Sequence, residues 1–577
     1  MKAKFAIAII CLLLLIVPPA YALKQTTVYM PAVQETDYGT EGAMATLTVD
    51  VKPGKGHVYV DTFPLAKVDT QASARIARNV ACDALFIDCA QYDFFYTIRS
   101  DARIVGGPSG GAAMAVATMA SILDLEVNNR ALITGTINPD GSIGQVSGLL
   151  EKAQIASEKG DTFLIPYGQS IVKAGRGGDE IDLTLYAKDN WNLTVREIRY
   201  VREAFEIFTN YKLRDIEIEF VKSEEYQDVM KDFGEVLLGR AKSLQENCRL
   251  ELNRARLGYD QKEELRELCE ESLDEAQNSL RKKDYYSSAS LAFSKSISYQ
   301  HAIRLSGLLE SQDKKGFAKD YLSQIEGHYF ETKPSNIELY AIIQERYSEY
   351  QENLEIAWKK YYTEDYSGAV YYAALAEERL YTARLWNERS GEFPNYISAP
   401  SENLDSIATG IISDAHAALT YTNLISPNSF SALAETLLKK AESEKQKGNY
   451  YAAIVQALKG KANAEIAAQI SGASDYKTLI DANKKRALVS LSQSDSIIGQ
   501  SYFEYAQTLE DTNEGASLTY YAYAEKLSKL NNILNEEPLW QNIEPTEYIE
   551  PVECDYRRLI PLIIVSSIIC FLIGFLI

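Results

Sequence analysis

The chain has 577 residues, enough for several domains with large buried cores. It carries 80 acidic against 59 basic residues, a net charge of −21, which argues against nucleic acid as a partner. Its 4 histidines and 7 cysteines form no cluster with metal-ligand spacing, so neither a metal centre nor another cofactor is expected.

Met1-Lys2-Ala3-Lys4 is a basic start, residues 5–17 are apolar but short for a bilayer, and Ala20-Tyr21-Ala22 is an A-x-A cleavage pattern. Residues 1–22 therefore read as a secretory signal peptide, with a mature start near Leu23; an uncleaved anchor is the alternative. From 26 to 60 the pattern is one of short alternating strands, clearest at 45–51 and 57–61, followed by a helix over 64–83 and a strand over 94–99. Lys52-Pro53-Gly54-Lys55-Gly56 reads as a hairpin connection. No Walker-type phosphate loop occurs there or elsewhere, so no ATPase is expected within the chain. His57 reads as a strand residue. Cys82 and Cys89 are too far apart to bond along a continuous helix, but can join if the helix ends near Asp83, as expected here.

The next stretch carries the chemistry. Ser109 lies in Gly106-Gly107-Pro108-Ser109-Gly110-Gly111, and the apolar run 112–123 reads as a buried helix beginning at that serine. Free N–H groups and the helix dipole favour a developing negative charge there, and glycines admit a close-approaching carbonyl. The backbone around Gly107, Pro108 and Gly110 is the expected oxyanion site. Residues 131–137 are β-branched and strand-like, Asn138-Pro139-Asp140-Gly141 is a turn, and 142–146 returns as the second arm of a hairpin. A helix then runs from Gly148 to about Lys159 with Lys152 in its first turn, where the dipole and an apolar setting push the amine toward neutrality. A neutral lysine can take a proton from serine.

These residues carry a family likeness. GGPSGG at 106–111, ITGTINPDGSIGQVSGLLEK at 133–152 and TFLIP at 162–166 resemble the proteolytic domain of the Lon-type serine peptidases, without gaps from serine to lysine. The resemblance covers roughly 23–213 and implies an α+β fold there, a catalytic dyad of Ser109 and Lys152, and Thr134 orienting the lysine. It also implies polypeptide substrates and, from the family's ring assemblies, a homo-oligomer. Three positions depart from the family pattern. Gly106 stands where many ATP-dependent members carry an acid, Gln145-Val146-Ser147-Gly148 replaces Pro-x-Gly-Gly, and Gly110-Gly111 replaces Ala-Gly.

Blander readings exist for each residue. Ser109 alone is a glycine-rich helix cap and Lys152 alone a solvated lysine; their joint occurrence with Thr134 and the turn favours a dyad. Gly107-Pro108-Ser109-Gly110-Gly111 also satisfies G-x-S-x-G, but a Ser-His-acid triad needs a downstream histidine, and the next is His301, in a helical region.

From 224 to 538 the chain is rich in Ala, Leu, Glu, Lys and Tyr at helical spacing. A weak repeat is anchored on Tyr286, Tyr366 and Tyr450, with a degenerate fourth copy near Gly515; it reads as long helical hairpins, with a solenoid as one arrangement. Cys248 and Cys269 flank Gly258-Tyr259 symmetrically, so an antiparallel hairpin would pair them in an oxidising compartment. Asn192-Leu193-Thr194 matches the glycosylation pattern. Residues 541–558 are a linker containing Arg557 and Arg558, and 559–577 is an apolar stretch long enough to span a bilayer.

The expected plan is thus an α+β Lon-type proteolytic domain (23–213), an all-α domain (214–540), a linker and one C-terminal transmembrane helix. The expected activity is that of an ATP-independent serine endopeptidase, tethered to the cell membrane outside the cytoplasm and cutting flexible chains. The alternatives are an inactive cell-surface scaffold binding a partner through its helices, and a peptidase that cuts only itself.

Overall fold

The computed structural model describes residues 25–535 apart from 37–38, 64, 66, 88, 101–106, 174–178, 214–219, 329–336, 393–402, 426 and 471–474. The expected signal peptide, linker and transmembrane segment lie outside the described residues. Among these, no helix is long and apolar enough to cross a membrane.

Alternation builds the first sheet. Val28 and Met30 of β1 (Thr26–Thr36) and Ala45, Leu47, Val49 and Val51 of β2 (Gly39–Pro53) point into one core, as a period of two requires. With β3 (Val58–Phe63) and β4 (Tyr92–Ser100) they form a sheet of order β1-β2-β4-β3, in which β3 and β4 run parallel and the other pairs antiparallel. The turn at 52–56 is therefore no hairpin connection, because β4 lies between β2 and β3. Asp93 of β4 holds that turn, accepting the N–H groups of Lys55 and His57, each at 2.9 Å. Helix α1 (Val68–Leu85) is the crossover between β3 and β4. It starts later than expected, behind an extended Lys67, and runs two residues past Asp83. Phe86, in the left-handed region at φ 57°, then reverses the chain, so that Cys89 returns to Cys82 in a disulfide with Cα atoms 5.8 Å apart.

A 3-10 turn (Pro108–Gly110) leads into α2 (Gly111–Ile122), buried at every position from Gly111 to Ser121. It packs on α1, β1 and β2. Alanine at five of its positions leaves room for close neighbours, and its one central hydroxyl, Thr118, bonds both the Met114 carbonyl at 2.6 Å and the Tyr96 hydroxyl at 2.8 Å.

The strand expected over 131–137 is two strands. β5 (Ala131–Ile133) joins the parallel sheet β9-β8-β5 with β8 (Thr162–Pro166) and β9 (Thr194–Ile198), whereas β6 (Thr136–Ile137) pairs with β7 (Ile143–Gly144). The break falls at Thr134-Gly135, where the chain leaves β8 and bonds instead to the serine turn. Helix α3 (Leu149–Ser157) carries Lys152 and covers β1, β2 and β8. The α/β region closes with α4 (Leu183–Trp191) and α5 (Val201–Thr209).

All the described elements from residue 224 onward are helices: α6 (Glu224–Arg254), α7 (Tyr259–Cys269), α8 (Asp274–Arg281), α9 (Tyr285–Glu310), α10 (Lys314–Ile325), α11 (Ile337–Tyr362), α12 (Tyr366–Arg389), α13 (Leu404–Ile425), α14 (Ser429–Gln446), α15 (Tyr450–Ile470), α16 (Tyr476–Ser492), α17 (Ile497–Leu509), α18 (Glu514–Ser528) and α19 (Leu530–Asn535). The repeats have a structural basis. Lys283, Glu364 and Gly448 each take a left-handed conformation, and the following N–H of Asp284, Asp365 or Asn449 reaches back to the carbonyl of Ser279, Lys360 or Glu444. This is a helix stop with an immediate restart, and it produces the hairpins α11/α12 and α14/α15. It also corrects the register of the first copy by one residue, since Tyr285 rather than Tyr286 opens the helix equivalent to those begun by Tyr366 and Tyr450.

Cys248 of α6 and Cys269 of α7 form a disulfide with Cα atoms 5.6 Å apart across 21 residues of sequence. Replacing both cysteines by alanine is expected to destabilise this corner by about 3 kcal/mol, the loop-closure value for that span. Urea unfolding followed by fluorescence, compared with reduced wild type, checks it.

Candidate active site

The serine turn is held from both sides. Gly107, at φ 100° and ψ 147°, has a backbone that a side chain would strain, and its N–H donates to Asp69 Oδ2 at 3.0 Å. On the other side the Ser109 carbonyl accepts the Gly135 N–H at 2.9 Å, and the Gly135 carbonyl accepts the Ala112 N–H at 3.1 Å. Thr134, fully buried, donates its N–H to the Leu164 carbonyl at 3.1 Å and points its hydroxyl at the Ser109 carbonyl, 3.5 Å away. The structure thus brings Thr134 to the serine backbone, where the expectation put it on the lysine.

The expected oxyanion donors need correction. The Gly107 N–H is taken by Asp69, Pro108 has none to give, and the i→i+3 pattern of the turn directs the Gly110 N–H to the Gly107 carbonyl. The donor that the turn itself leaves over is the N–H of Ser109, second in the turn and aligned with the dipole of α2.

Lys152 sits on the inward face of α3 at 2 % exposure. Gly148 permits this: at φ 69° it starts the helix from the left-handed region, and a Cβ there would come within 2.8 Å of Val33 on β1. Burial lowers the amine from its ordinary 10.5 to about 8, with Glu151 opposing the shift. The serine turn touches the same strand, since a Cβ on Gly110 would lie 3.1 Å from Met30 Sδ. Gly110 and Gly148 therefore both border β1, the edge strand of its sheet, but at Met30 and Val33, whose side chains point to opposite faces of that strand. The side chains of Ser109 and Lys152 are not hydrogen-bonded to each other in this structure.

Two contributors escaped sequence reasoning. Asp69 is 38 residues from Gly107; its signal was an acid in the first turn of α1, which alone reads as a helix-dipole partner. Tyr421 of α13 is fully buried and donates its hydroxyl to the Ile137 carbonyl at 2.8 Å. It thereby fastens the helical region to the strand after Thr134-Gly135. A separation of 284 residues leaves no local trace of that bond. Comparison with family models and with curated proteins finds no match for this chain.

Proposed function

We propose that residues 23–213 are a Lon-type Ser-Lys peptidase domain working without an ATPase, held at the cell membrane outside the cytoplasm by residues 559–577 and cutting unfolded or flexible polypeptides. The observation that carries this reading is a buried lysine, its amine held down near 8 by burial, on a helix that packs against the same strand, β1, as the buried helix headed by the serine. In the reaction, neutral Lys152 takes the Ser109 hydroxyl proton as Oγ attacks the scissile carbonyl. The Ser109 N–H donates to the oxyanion, and the protonated lysine then gives its proton to the leaving amine. Water releases the acyl group by the same route in reverse. Thr134 and Gly135 hold the serine carbonyl so that the turn keeps its aim. Substrate binding brings the two side chains within about 3 Å, as catalytic hydrogen bonds commonly tighten in the complex.

Casein-type cleavage by the full chain is expected to disappear in Ser109→Ala and Lys152→Ala and to persist in Lys319→Ala, a change at an exposed lysine. Retention of activity in both site variants removes the mechanism. The pH profile is a second expectation. Only the neutral amine is a base, so kcat/KM should rise with pH and reach half its plateau near 8; a profile flat between about 6 and 9 contradicts a lysine base.

The absence of a Ser109–Lys152 hydrogen bond favours one alternative, a cell-surface scaffold that keeps the peptidase fold without activity and binds a partner through its helices. A fluorophosphonate probe separates the two readings. Covalent labelling lost in Ser109→Ala supports the peptidase, and no labelling at any pH supports the scaffold.

A further inference from the structure

Away from Ser109, the helical region forms a partly open cavity of about 360 Å³ among α6, α9, α11, α12, α15, α17 and α18. Its charges do not balance. Glu345 is paired with Lys459, and Glu349 forms an ion pair with Arg379, whose Nε lies 2.8 Å from its carboxylate. That leaves Arg346, whose charge both acids favour from a distance but which forms no direct ion pair with any described residue, and whose buried Nε has no hydrogen-bond partner among them. Its Cζ lies 5.8 Å from the ring centre of Trp386. Three cations thus face two carboxylates across a space that holds nothing else charged.

The remaining wall is aromatic and apolar. Phe233, Leu237, Phe293, Ile297 and Trp386 line it. Tyr505 and Tyr520, with ring centres 4.7 Å apart, and Tyr286 and Tyr502, at 6.0 Å, line it as well. A guanidinium with a buried Nε and no direct ion pair has donors to spare for a ligand, and a planar carboxylate is the group that matches its fork of donors. The volume lies in the range of small-molecule sites, which combine an apolar wall with a few placed polar groups.

We propose that this cavity binds an amphipathic monocarboxylate, its carboxylate on Arg346 and its aromatic or branched apolar body against Phe293 and Trp386. Such a group comes either as a free organic acid or as the C-terminal residue of a peptide. The inference does not depend on the peptidase reading, because none of its residues belongs to the Ser109 site.

Calorimetry with the full chain tests it, using two matched pairs: phenylacetate against phenylacetamide, and acetyl-Leu-Phe against its C-terminal amide. In wild type, at least one acid is expected to bind about tenfold or more tighter than its amide, and Arg346→Gln is expected to abolish that preference while Arg346→Lys retains part of it. Preference for phenylacetate alone assigns the free acid, and preference for the dipeptide acid alone assigns the peptide terminus. Equal binding of acid and amide in both pairs, no binding of either acid at about 1 mM, or an unchanged preference in Arg346→Gln overturns the proposal. The wild-type comparison needs no variant, so a failure of Arg346→Gln to fold does not rescue it.

Discussion

Lys152→Met is expected to abolish peptidase activity and to make the protein more stable. Removing the general base should lower kcat/KM by roughly 10³–10⁴-fold. The stability gain follows from linkage. The buried amine titrates at about 8 where an exposed one titrates at 10.5. The unfolded chain therefore binds the extra proton between those values, and wild-type stability rises with pH across that window. Below about 8 the native protein must carry a charged, desolvated ammonium, and the difference corresponds to about 3 kcal/mol. Methionine fills nearly the same volume without the charge, so up to that amount should be recovered at neutral pH, and the rise in stability between pH 8 and 10.5 should flatten. Urea unfolding at pH 7 and pH 10.5 reads both effects. A variant destabilised equally at both pH values would show that the amine is bonded in the native state rather than merely buried. Ser109→Ala, which should lose activity with little change in stability, separates loss of chemistry from loss of structure.

The second large effect is expected at the junction of the two regions. Arg486 of α16 lies 2.9 Å from Glu525 of α18 and 3.3 Å from Glu465 of α15. Lys526 reaches the same two acids at 2.6 and 2.8 Å. Two cations thus balance two carboxylates that are only 6 % and 2 % exposed. Burial works against the charge on Glu525, but Arg486 and Lys526 more than offset it and hold the carboxyl well below the usual range. Asp83 of α1 acts on both cations, and Lys529 approaches it at 3.8 Å, so the cluster also ties the helices to the α/β region. Arg486→Met leaves one buried negative charge without its partner and is expected to cost about 3–5 kcal/mol. Adding Glu525→Gln should return a large part of that loss, because the remaining charges balance again. A single change worth less than about 1 kcal/mol would show that water reaches the cluster. Thermal unfolding of the single and double variants makes the comparison.

Most of what positions Ser109 and Lys152 was legible locally. The glycine-rich turn, the apolar run after it and the Asn138-Pro139-Asp140-Gly141 turn each follow from backbone preferences within a few residues. The turns that generate the hairpins left a visible Asp/Asn-Tyr repeat for the same reason, although the helix starts move its first copy by one residue. The Cys82 and Cys89 pairing could be anticipated because a short span offers few geometries, yet its means, the left-handed Phe86, was not readable.

What stayed hidden depends on residues distant in sequence. Nothing local marks 131–137 as two strands: the break exists because Gly135 takes the Ser109 carbonyl while Thr134 stays on β8. The insertion of β4 between β2 and β3, the hold of Asp69 on Gly107 and the bond from Tyr421 to Ile137 arise in the same way. The unpaired charge of Arg346 is of this kind too, since whether a cation is matched depends on which carboxylates packing brings to it. Backbone preference acts over one turn of chain and survives in the order of the letters. Pairing of buried polar groups acts through space, and its outcome exists only once the helices and sheets have packed.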